Sequence, residues 1–239
     1  MAIHVPLSTR SQQEAIELMM PEHNLLKPAD GSPITLPNKE MALGSFYMTS
    51  IDERLRRENL PVFADNNEAH LAFSLKKLSM REPMMLRING EIIETTMGRL
   101  MFNEKLPTGM PYVNEPIKAA SITRIITEAM VSYSESEVAQ LIDNIKEIGF
   151  YGATVSGISV STFDLKMIPD KHKFVDAAEI KIKEIEEEYQ TCLITLAEQK
   201  RLANDVWFAT TEEMANLTWD LFEDQDMVKI IAESGGARA

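Results

Sequence analysis

The spacing of apolar residues in the last third of the chain constrains its fold most. Four of them recur at intervals of four, three and four residues, namely Ala178, Ile182, Ile185 and Tyr189. This is the a/d rhythm of a coiled-coil seam, and charged residues cover the other faces of the stretch. The apolar pattern resumes at Leu202 and Val206 after a break. The spacing therefore predicts a long antiparallel helical hairpin.

Two more helices are predicted upstream of the hairpin. Ser134 and Glu137 can form a capping box ahead of a run, Val138 to Ile148, whose apolar residues share one helical face. Gly149 is expected to end that helix. A second apolar stripe, from Ile122 to Met130, predicts another helix just before it.

Weaker signals predict short helices near both ends of the chain. Thr9 and Gln12 are placed to form a capping box for a helix that ends near Pro21. Thr210 and Glu213 are placed to cap a separate last helix. Both predictions rest on short-range spacing alone.

Strand signals occupy the N-terminal half. The run Leu86–Ile93 carries Asn89-Gly90 between two β-prone segments, which is a strong signal for a β-hairpin. Residues 42–49 are interpreted as a strand. Residues 149–168 are expected to form an ordered loop with one or two short strands. The chain is therefore predicted to be α+β and predominantly helical, with short strands first, then helices and the long hairpin.

Composition excludes several classes of function. The formal net charge of -13 argues against a free-standing nucleic-acid binder, because phosphate contacts need a dense cationic face. The single cysteine, Cys192, has no partner for a disulfide, and the four histidines lack the spacing of a zinc enzyme. No apolar run approaches the roughly 20 residues of a membrane helix, and no secretion signal is evident at the N-terminus. We expect a cytoplasmic protein.

Three stretches together resemble the largest, β′, subunit of bacterial-type RNA polymerases, in that family's order. The first resembles the run that follows the family's metal-binding motif N-A-D-F-D-G-D, and the second is similar to its G-R-x-x-F-N-x-x-L-P run. The third comprises a segment before the predicted hairpin and the second part of that hairpin. They comprise residues 1–8 with 24–34, residues 98–107, and residues 149–169 with 193–207. The similarity covers nearly the whole chain.

The resemblance implies a location for each part of the chain. Residues 1–165 resemble the mixed α/β pore region beneath the active centre. Residues 166–232 resemble the funnel, a helical hairpin plus a terminal helix, which borders the secondary channel. Residues 233–239 resemble the loop that leads toward a bridge helix not contained in this sequence.

The resemblance also implies that catalytic chemistry lies elsewhere. In the family, Mg²⁺ is held by the aspartates of N-A-D-F-D-G-D, and that motif is absent from this sequence. We therefore expect no catalytic, metal or cofactor residue in the chain, and no nucleotidyl transfer by the chain alone. Asp164 and Asp170 lack a third ligand and are interpreted as loop and capping residues.

One residue is implied to touch substrate. Arg238 corresponds to the family's basic residue that contacts the incoming triphosphate, and a guanidinium suits phosphate oxygens. The alternative is a solvated arginine near a chain end. The acidic run from Glu184 to Glu188 likewise has two interpretations, a docking surface for a basic factor or an ordinary solvated face. Trp207 is interpreted as a structural anchor at the base of the hairpin.

The chain departs from the family pattern at several positions. Cys192 stands where many relatives have glycine at the hairpin tip, so the turn either avoids a left-handed residue there or tolerates one. Val155 and Gln199 replace basic residues, which removes positive charge that regulators of relatives use. The segment before Arg238 reads Ser-Gly-Gly-Ala, one residue longer than the family's form.

The leading hypothesis is a segment of the catalytic subunit of DNA-directed RNA polymerase that shapes the pore by which nucleotides enter. Its partners would be the remaining part of β′, the β subunit and other polymerase subunits, with template DNA, nascent RNA and nucleoside triphosphates in the assembled complex. The alternative is a stand-alone helical-hairpin module that binds transcript-cleavage or other secondary-channel factors.

Overall fold

The structure, a computed structural model, describes residues 3–236 of the 239-residue chain. The chain divides into two compact units. Unit 1 contains the residues up to Ile158 together with those from Ile230 onward, and unit 2 is Ser159–Lys229. Unit 2 is therefore inserted, in sequence, between two parts of unit 1.

Helices dominate both units. Unit 1 contains α1 (Thr9–Met19), α2 (Glu40–Thr49), α3 (Asn66–Ser74), α4 (Met97–Asn103), α5 (Ala119–Ser132) and α6 (Glu135–Ser156). Unit 2 contains α7 (Lys171–Gln190) and α8 (Leu196–Asp220), and α9 (Met227–Glu233) spans the division between the units. Among residues 3–236, no helix is long and apolar enough to cross a membrane.

The sheet of unit 1 has the strand order β1-β2-β3, with β1 at Val62–Phe63, β2 at Pro83–Ile88 and β3 at Glu91–Thr96. Strands β2 and β3 are antiparallel and β1 is parallel to β2. Asn89 and Gly90 join β2 to β3 with φ angles of 50° and 92°, as the tight hairpin turn of this dipeptide requires. The predicted hairpin is confirmed.

Two groups of buried side chains form the core of unit 1. The larger one joins α2, α5 and α6 and includes Met48, Ile126, Leu141 and Ile145. The smaller one lies between the sheet and helices α3 and α4. Full burial of a large aliphatic side chain stabilises a fold by about 1.5–3 kcal/mol, so these groups provide most of the stability of unit 1.

Helices α2 and α6 pack with almost no space between their backbones. A Cβ atom on Gly44 would overlap the carbonyl oxygen of Gly149, and a Cβ on Gly149 would lie 2.5 Å from the carbonyl oxygen of Met41. The strand predicted at residues 42–49 is wrong, because α2 occupies them. Its residues are apolar on most sides because the helix is buried, and such a helix shows no amphipathic period.

Helix α6 begins as predicted and ends later. Ser134 and Glu137 form the expected capping box, which is confirmed. The predicted end at Gly149 is wrong, because the helix continues to Ser156 and ends at Gly157, whose φ is 58°. Gly149 instead permits the close approach of α2. Residues 149–168, all of which the structure describes, contain no strand, so the strands predicted there are wrong.

In unit 2, α7 and α8 form the predicted antiparallel hairpin, and the α+β, predominantly helical fold class is confirmed. The separate last helix predicted from Thr210 and Glu213 is wrong, because α8 continues through both residues. At the N-terminus, Ser8 rather than Thr9 caps α1, since its hydroxyl accepts from the Ser11 N–H at 3.1 Å.

Candidate functional site

The seam of the hairpin is shallow. Ile182, Ile185, Leu202 and Val206 are all only partly buried. Of residues 159–229, which the structure describes in full, Ala178 alone is buried. A cavity of about 340 Å³ lies between the helices and is lined by residues of both. The hairpin therefore holds together through a narrow apolar contact rather than a core.

The surface of unit 2 is strongly acidic. Residues 159–229 contain sixteen aspartates and glutamates against eight lysines and arginines. The four glutamates of the run Glu184–Glu188 are exposed. A surface of this charge attracts basic polypeptides and repels nucleic acid. Both interpretations of the run, docking surface and solvated face, remain compatible with this exposure.

An ordered group of charges follows the turn of the hairpin. Arg201 donates to Glu198 at 2.6 Å and to Asp205 at 2.9 Å. The hydrogen bond from Arg201 is the main reason why the pKa of Glu198 is lowered. Glu198 also donates its backbone N–H to Thr195, the residue that caps α8. Arg201 therefore lies between two carboxylates, and its charge is locally compensated.

The turn of the hairpin contains a residue in the left-handed conformation that is not a glycine. Cys192 has φ of 57° and is exposed. The Thr191 hydroxyl donates to the carbonyl oxygen of Glu187 at 2.8 Å and fixes the end of α7. The sequence left two alternatives for this turn, one without a left-handed residue and one with it. The first is wrong. Cys192 adopts the left-handed conformation at a modest energetic cost.

A buried arginine organises the centre of unit 1. Arg99 donates through Nε to the carbonyl oxygen of Thr49 at 2.8 Å, and through Nη1 to the backbone and side-chain oxygens of Asn114. Burial lowers the pKa of the Arg99 guanidinium, but the group keeps its charge because three oxygens surround it. We call Arg99, Thr49, Asn103 and Asn114 the arginine node.

The arginine node holds a loop that has no secondary structure of its own. Asn103 donates to the carbonyl oxygen of Val113 and accepts from the Val113 N–H at 2.7 Å. Thr49 accepts from the N–H of Ile117 at 2.8 Å. Residues 112–117 are therefore fixed by side chains that come from two separate helices, α2 and α4.

The 98–107 motif thus has a structural explanation. Gly98 lies so close to the backbone of Met48 that no side chain fits there. Phe102 of the motif is buried in the core of unit 1, and Arg99 and Asn103 make the contacts of the node. Sequence reasoning identified this motif only as a resemblance. The only sequence signal for the node was a glycine followed by an arginine, Gly98 and Arg99. This pair does not indicate which residues the arginine contacts.

The segment Ser234–Gly236, which we call the strap, packs against unit 1. Ser234 is fully buried and accepts a hydrogen bond from the N–H of Ala119 at 2.9 Å. Arg238, the predicted substrate contact, lies outside the described residues. It therefore stays a prediction.

The candidate metal residues are separate from one another. Asp164 accepts from the N–H of Ser161 at 2.7 Å, and Asp170 pairs with Lys173 at 2.8 Å. Both act locally, at a capping position and at the start of α7. Within the part of the chain that the structure describes, no three His, Cys, Asp or Glu side chains cluster as metal ligands. These residues do not fit a magnesium site, so no catalytic step is assigned to one here.

Trp207 lies on α8 and is 40% exposed. Its neighbour Phe208 is 68% exposed. Basic residues do not alternate with these aromatics in the sequence, as a single-strand binding platform would need. The anchoring role of Trp207 stays a prediction.

Comparison with known proteins places the chain in a family. Residues 24–165 match the family described as RNA polymerase Rpb1, domain 3. These residues contain the arginine node and helices α2 to α6. The chain belongs to this family of polymerase subunit domains.

The similarity extends along the hairpin as well. The chain is 33% identical to the DNA-directed RNA polymerase subunit β′ of Thermobifida fusca, over 90% of the chain and 18% of that protein. It is 34% identical to the β′ subunit of a Hydrogenobaculum strain, over 96% of the chain and 15% of that protein. It is 35% identical to the β′ subunit of Borrelia hermsii, over 98% of the chain and 17% of that protein. The chain thus corresponds to a segment of β′ and spans less than a fifth of these relatives.

Proposed function

We propose that the chain is a working part of a DNA-directed RNA polymerase, where it shapes the pore and secondary channel through which nucleotides reach the active centre. The observation that carries the proposal is the continuous match to β′ subunits over 90–98% of the chain. In this assignment unit 1 corresponds to the pore region and the α7–α8 hairpin to the rim of the channel.

Exposed apolar side chains support assembly into a larger complex. Ile3 and Leu7 are more than 90% exposed, and Ile16 and Met19 of α1 are 63% and 74% exposed. Such a concentration of exposed apolar residues marks an interaction surface. We assign it to contacts with the remaining part of β′ and the β subunit.

The catalytic metal chemistry is assigned to residues outside this chain. Mg²⁺, when bound in the assembled enzyme, stabilises the charge that develops during phosphoryl transfer. This chain's own contribution is to exclude bulk solvent and to orient substrate. Arg238 is the proposed contact to the triphosphate, because a guanidinium binds phosphate oxygens in a bidentate fashion.

Contacts to template DNA and nascent RNA depend on neighbouring subunits. With a formal net charge of -13, the chain cannot supply the positive potential that phosphate backbones require. We therefore propose that neighbouring subunits, rather than this chain, make most of the contacts to the phosphate backbones. Its proposed compartment is the cytoplasm.

A second candidate function is favoured by the exposed acidic hairpin. As a stand-alone module, the chain would bind transcript-cleavage or other secondary-channel factors through the Glu184–Glu188 run. This function requires only that the hairpin fold and that the factor present a basic surface.

Reconstitution separates the two functions. The tagged chain is combined with the remaining polymerase polypeptides of the same organism, and RNA synthesis is measured on a DNA template with Mg²⁺. We expect the chain to co-purify with them, synthesis to require it, and the chain alone to be inactive. RNA synthesis by the chain alone, or full synthesis without it, would contradict the proposal. Binding of a cleavage factor by a chain that never joins a polymerase would favour the alternative.

A further inference from the structure

Three exposed apolar side chains lie close together just before the hairpin of unit 2. Phe163 is 96% exposed, Met167 is 74% exposed and Leu165 is 58% exposed. They occupy alternate positions of one short segment, and we call them the ridge. Single exposed apolar residues are ordinary on a protein surface, whereas a group of them marks an interaction site.

Polar contacts fix the first half of this segment. The Asp164 carboxylate accepts from the Ser161 N–H at 2.7 Å, and the Ser161 hydroxyl accepts from the Phe163 N–H at 3.4 Å. Together these bonds form a capping box around the single helical turn Thr162–Asp164. The backbone that carries Phe163 is therefore held in place without any contribution from its ring.

Lys166 fixes the second half of the segment. Its ammonium group donates to the Asp226 carboxylate at 2.7 Å and to the carbonyl oxygen of Leu221 at 3.0 Å. It also lies 5.7 Å from the centre of the Phe222 ring. The hydrogen bond from Lys166 is the main reason why the pKa of Asp226 is lowered. The polar side chains of the segment thus anchor it, while the apolar ones of the ridge are exposed.

The surroundings of the ridge are acidic. Residues 220–226, to which Lys166 binds, carry four carboxylates and no lysine or arginine. Two of these carboxylates belong to Asp220 and Glu223, which are exposed. Such a surface repels nucleic acid and attracts the lysine and arginine side chains of a protein.

A segment that is already ordered binds a partner at low entropic cost. Little further backbone freedom is lost on docking, because the capping box and Lys166 hold residues 161–167 beforehand. Exposed aromatic side chains in fixed positions are suited to act as the anchors that dominate protein–protein affinity. The β′ relatives are more than five times as long as the matched segment, so most of their protein surface belongs to other segments.

We propose that the ridge is a docking surface for the remaining polymerase polypeptides, which offer an apolar groove for Phe163 and lysine or arginine side chains at its edge. This inference rests on the proposed function, because the partner is the rest of the polymerase. The ridge lies at the base of the hairpin, where Lys166 binds just beyond the end of α8. It is therefore distinct from the Glu184–Glu188 run near the turn.

Replacement of Phe163 by serine tests the anchor. Because the ring is almost fully exposed, Phe163→Ser should leave the circular dichroism and the denaturation midpoint of the free chain unchanged. Its dissociation constant for the remaining polymerase polypeptides should rise about thirtyfold, the order expected for an aromatic anchor. Leu193→Ser, at an equally exposed position in the turn of the hairpin, is the matched control and should leave the constant nearly unchanged.

Replacement of Lys166 by methionine separates order from charge. Lys166→Met loses both anchoring bonds and makes the surface more negative. Charge alone would strengthen binding to a basic partner, so the expected rise of about fivefold in the dissociation constant would show that a fixed ridge is needed. Stronger binding by this variant would contradict the role of the anchored segment.

Photocrosslinking identifies the surface that covers the ridge. With p-benzoylphenylalanine in place of Phe163, crosslinks in the reconstituted complex should fall on the remaining polymerase polypeptides, at apolar residues flanked by lysine or arginine. Crosslinks to nucleic acid or to a second copy of this chain would overturn the proposal.

The outcomes separate this inference from the proposed function. If the wild-type chain does not join the remaining polypeptides, the proposed function and the inference both fail. If the wild-type chain joins them and Phe163→Ser binds equally well, the docking surface is wrong and the proposed function stands.

Discussion

Units 1 and 2 are stabilised in different ways. Unit 1 contains two buried groups of side chains, a closely packed pair of helices and the arginine node. Unit 2, described in full over residues 159–229, has a single buried residue, Ala178, and relies on a half-exposed seam and surface ion pairs. Exposed ion pairs contribute about 1 kcal/mol or less each. Unit 2 should therefore open locally far more often than unit 1.

The comparison shows what each unit requires from its surroundings. Unit 1 has a buried interior of its own, whereas unit 2 buries little apolar surface. A partner that covers the hairpin would therefore add more to the stability of unit 2 than to that of unit 1. The largest effects of substitution should therefore fall in unit 1.

The largest effect is expected at the α2–α6 contact. Gly44→Ala places a methyl group against the carbonyl oxygen of Gly149, and only separation of the helices relieves the overlap. We expect a loss of about 3 kcal/mol in the free energy of unfolding, measured by chemical denaturation. Gly90→Ala is the control, because no atom lies within 4 Å of its added methyl and only backbone strain at φ 92° remains. Equal losses in the two variants would show that the helices are not closely packed.

The arginine node should give the next effect. Arg99→Met fills a similar volume but leaves the Thr49 and Asn114 oxygens without their donor. The expected loss is about 2 kcal/mol in the free energy of unfolding. Faster hydrogen exchange across residues 112–117 should accompany it. Arg87→Met, on the exposed face of β2, should have almost no effect, and a matching loss there would contradict a special role for Arg99.

The same substitution in the two units sharpens the contrast. Ile185→Ala in the half-exposed seam should destabilise unit 2 by about 1 kcal/mol, whereas Ile145→Ala in the core of unit 1 should cost about 3 kcal/mol. Hydrogen exchange, followed separately for amides of each unit, measures both. If the two losses are equal, unit 2 is as well packed as unit 1 and the comparison is wrong.

The smallest effect is a dependence of the hairpin on pH. The pKa of Glu198 is lowered in the folded chain, mainly by the hydrogen bond from Arg201. Its stabilising contribution is therefore complete above the ordinary carboxyl pKa of about 4.3 and is lost as pH falls through the lower folded pKa. We expect α8 to lose helicity at its start between pH 5 and pH 3, in circular dichroism and in amide exchange near Thr195.

Glu198→Gln should remove that part of the pH dependence. The control is Glu187→Gln, which changes the same charge on the exposed surface of α7. An unchanged acid transition in Glu198→Gln would show that the Arg201 contact contributes nothing to the start of α8.

The elements with strong local signals were predictable from sequence. The a/d spacing predicted the hairpin, Asn89-Gly90 predicted the β2–β3 turn, and Ser134 with Glu137 predicted the start of α6. Each signal arises within a few residues and is decided by local geometry. The contacts that define unit 1 were not predictable in this way.

The errors have a common physical origin. The strand expected at residues 42–49 is a buried helix, and Gly149, where a helix end was expected, is present because the backbones of α2 and α6 meet there. The hydrogen-bond partners of the Arg99 guanidinium, Thr49 and Asn114, lie on two separate segments, and nothing in their sequence positions relates them. The hydrogen bond from the Ala119 N–H to the Ser234 carbonyl oxygen also joins residues far apart in the chain, so no local pattern could identify it.

The insertion of unit 2 has a consequence for synthesis on the ribosome. The hydrogen bond between Ala119 and Ser234 joins residues that are on the order of a hundred positions apart in the chain. All of unit 2 is translated between them. At about 5–20 residues per second, the start of α5 waits roughly ten seconds for its partner. During that interval the start of α5 is exposed in the nascent chain, and Ser234 can bind to it only after it has been translated.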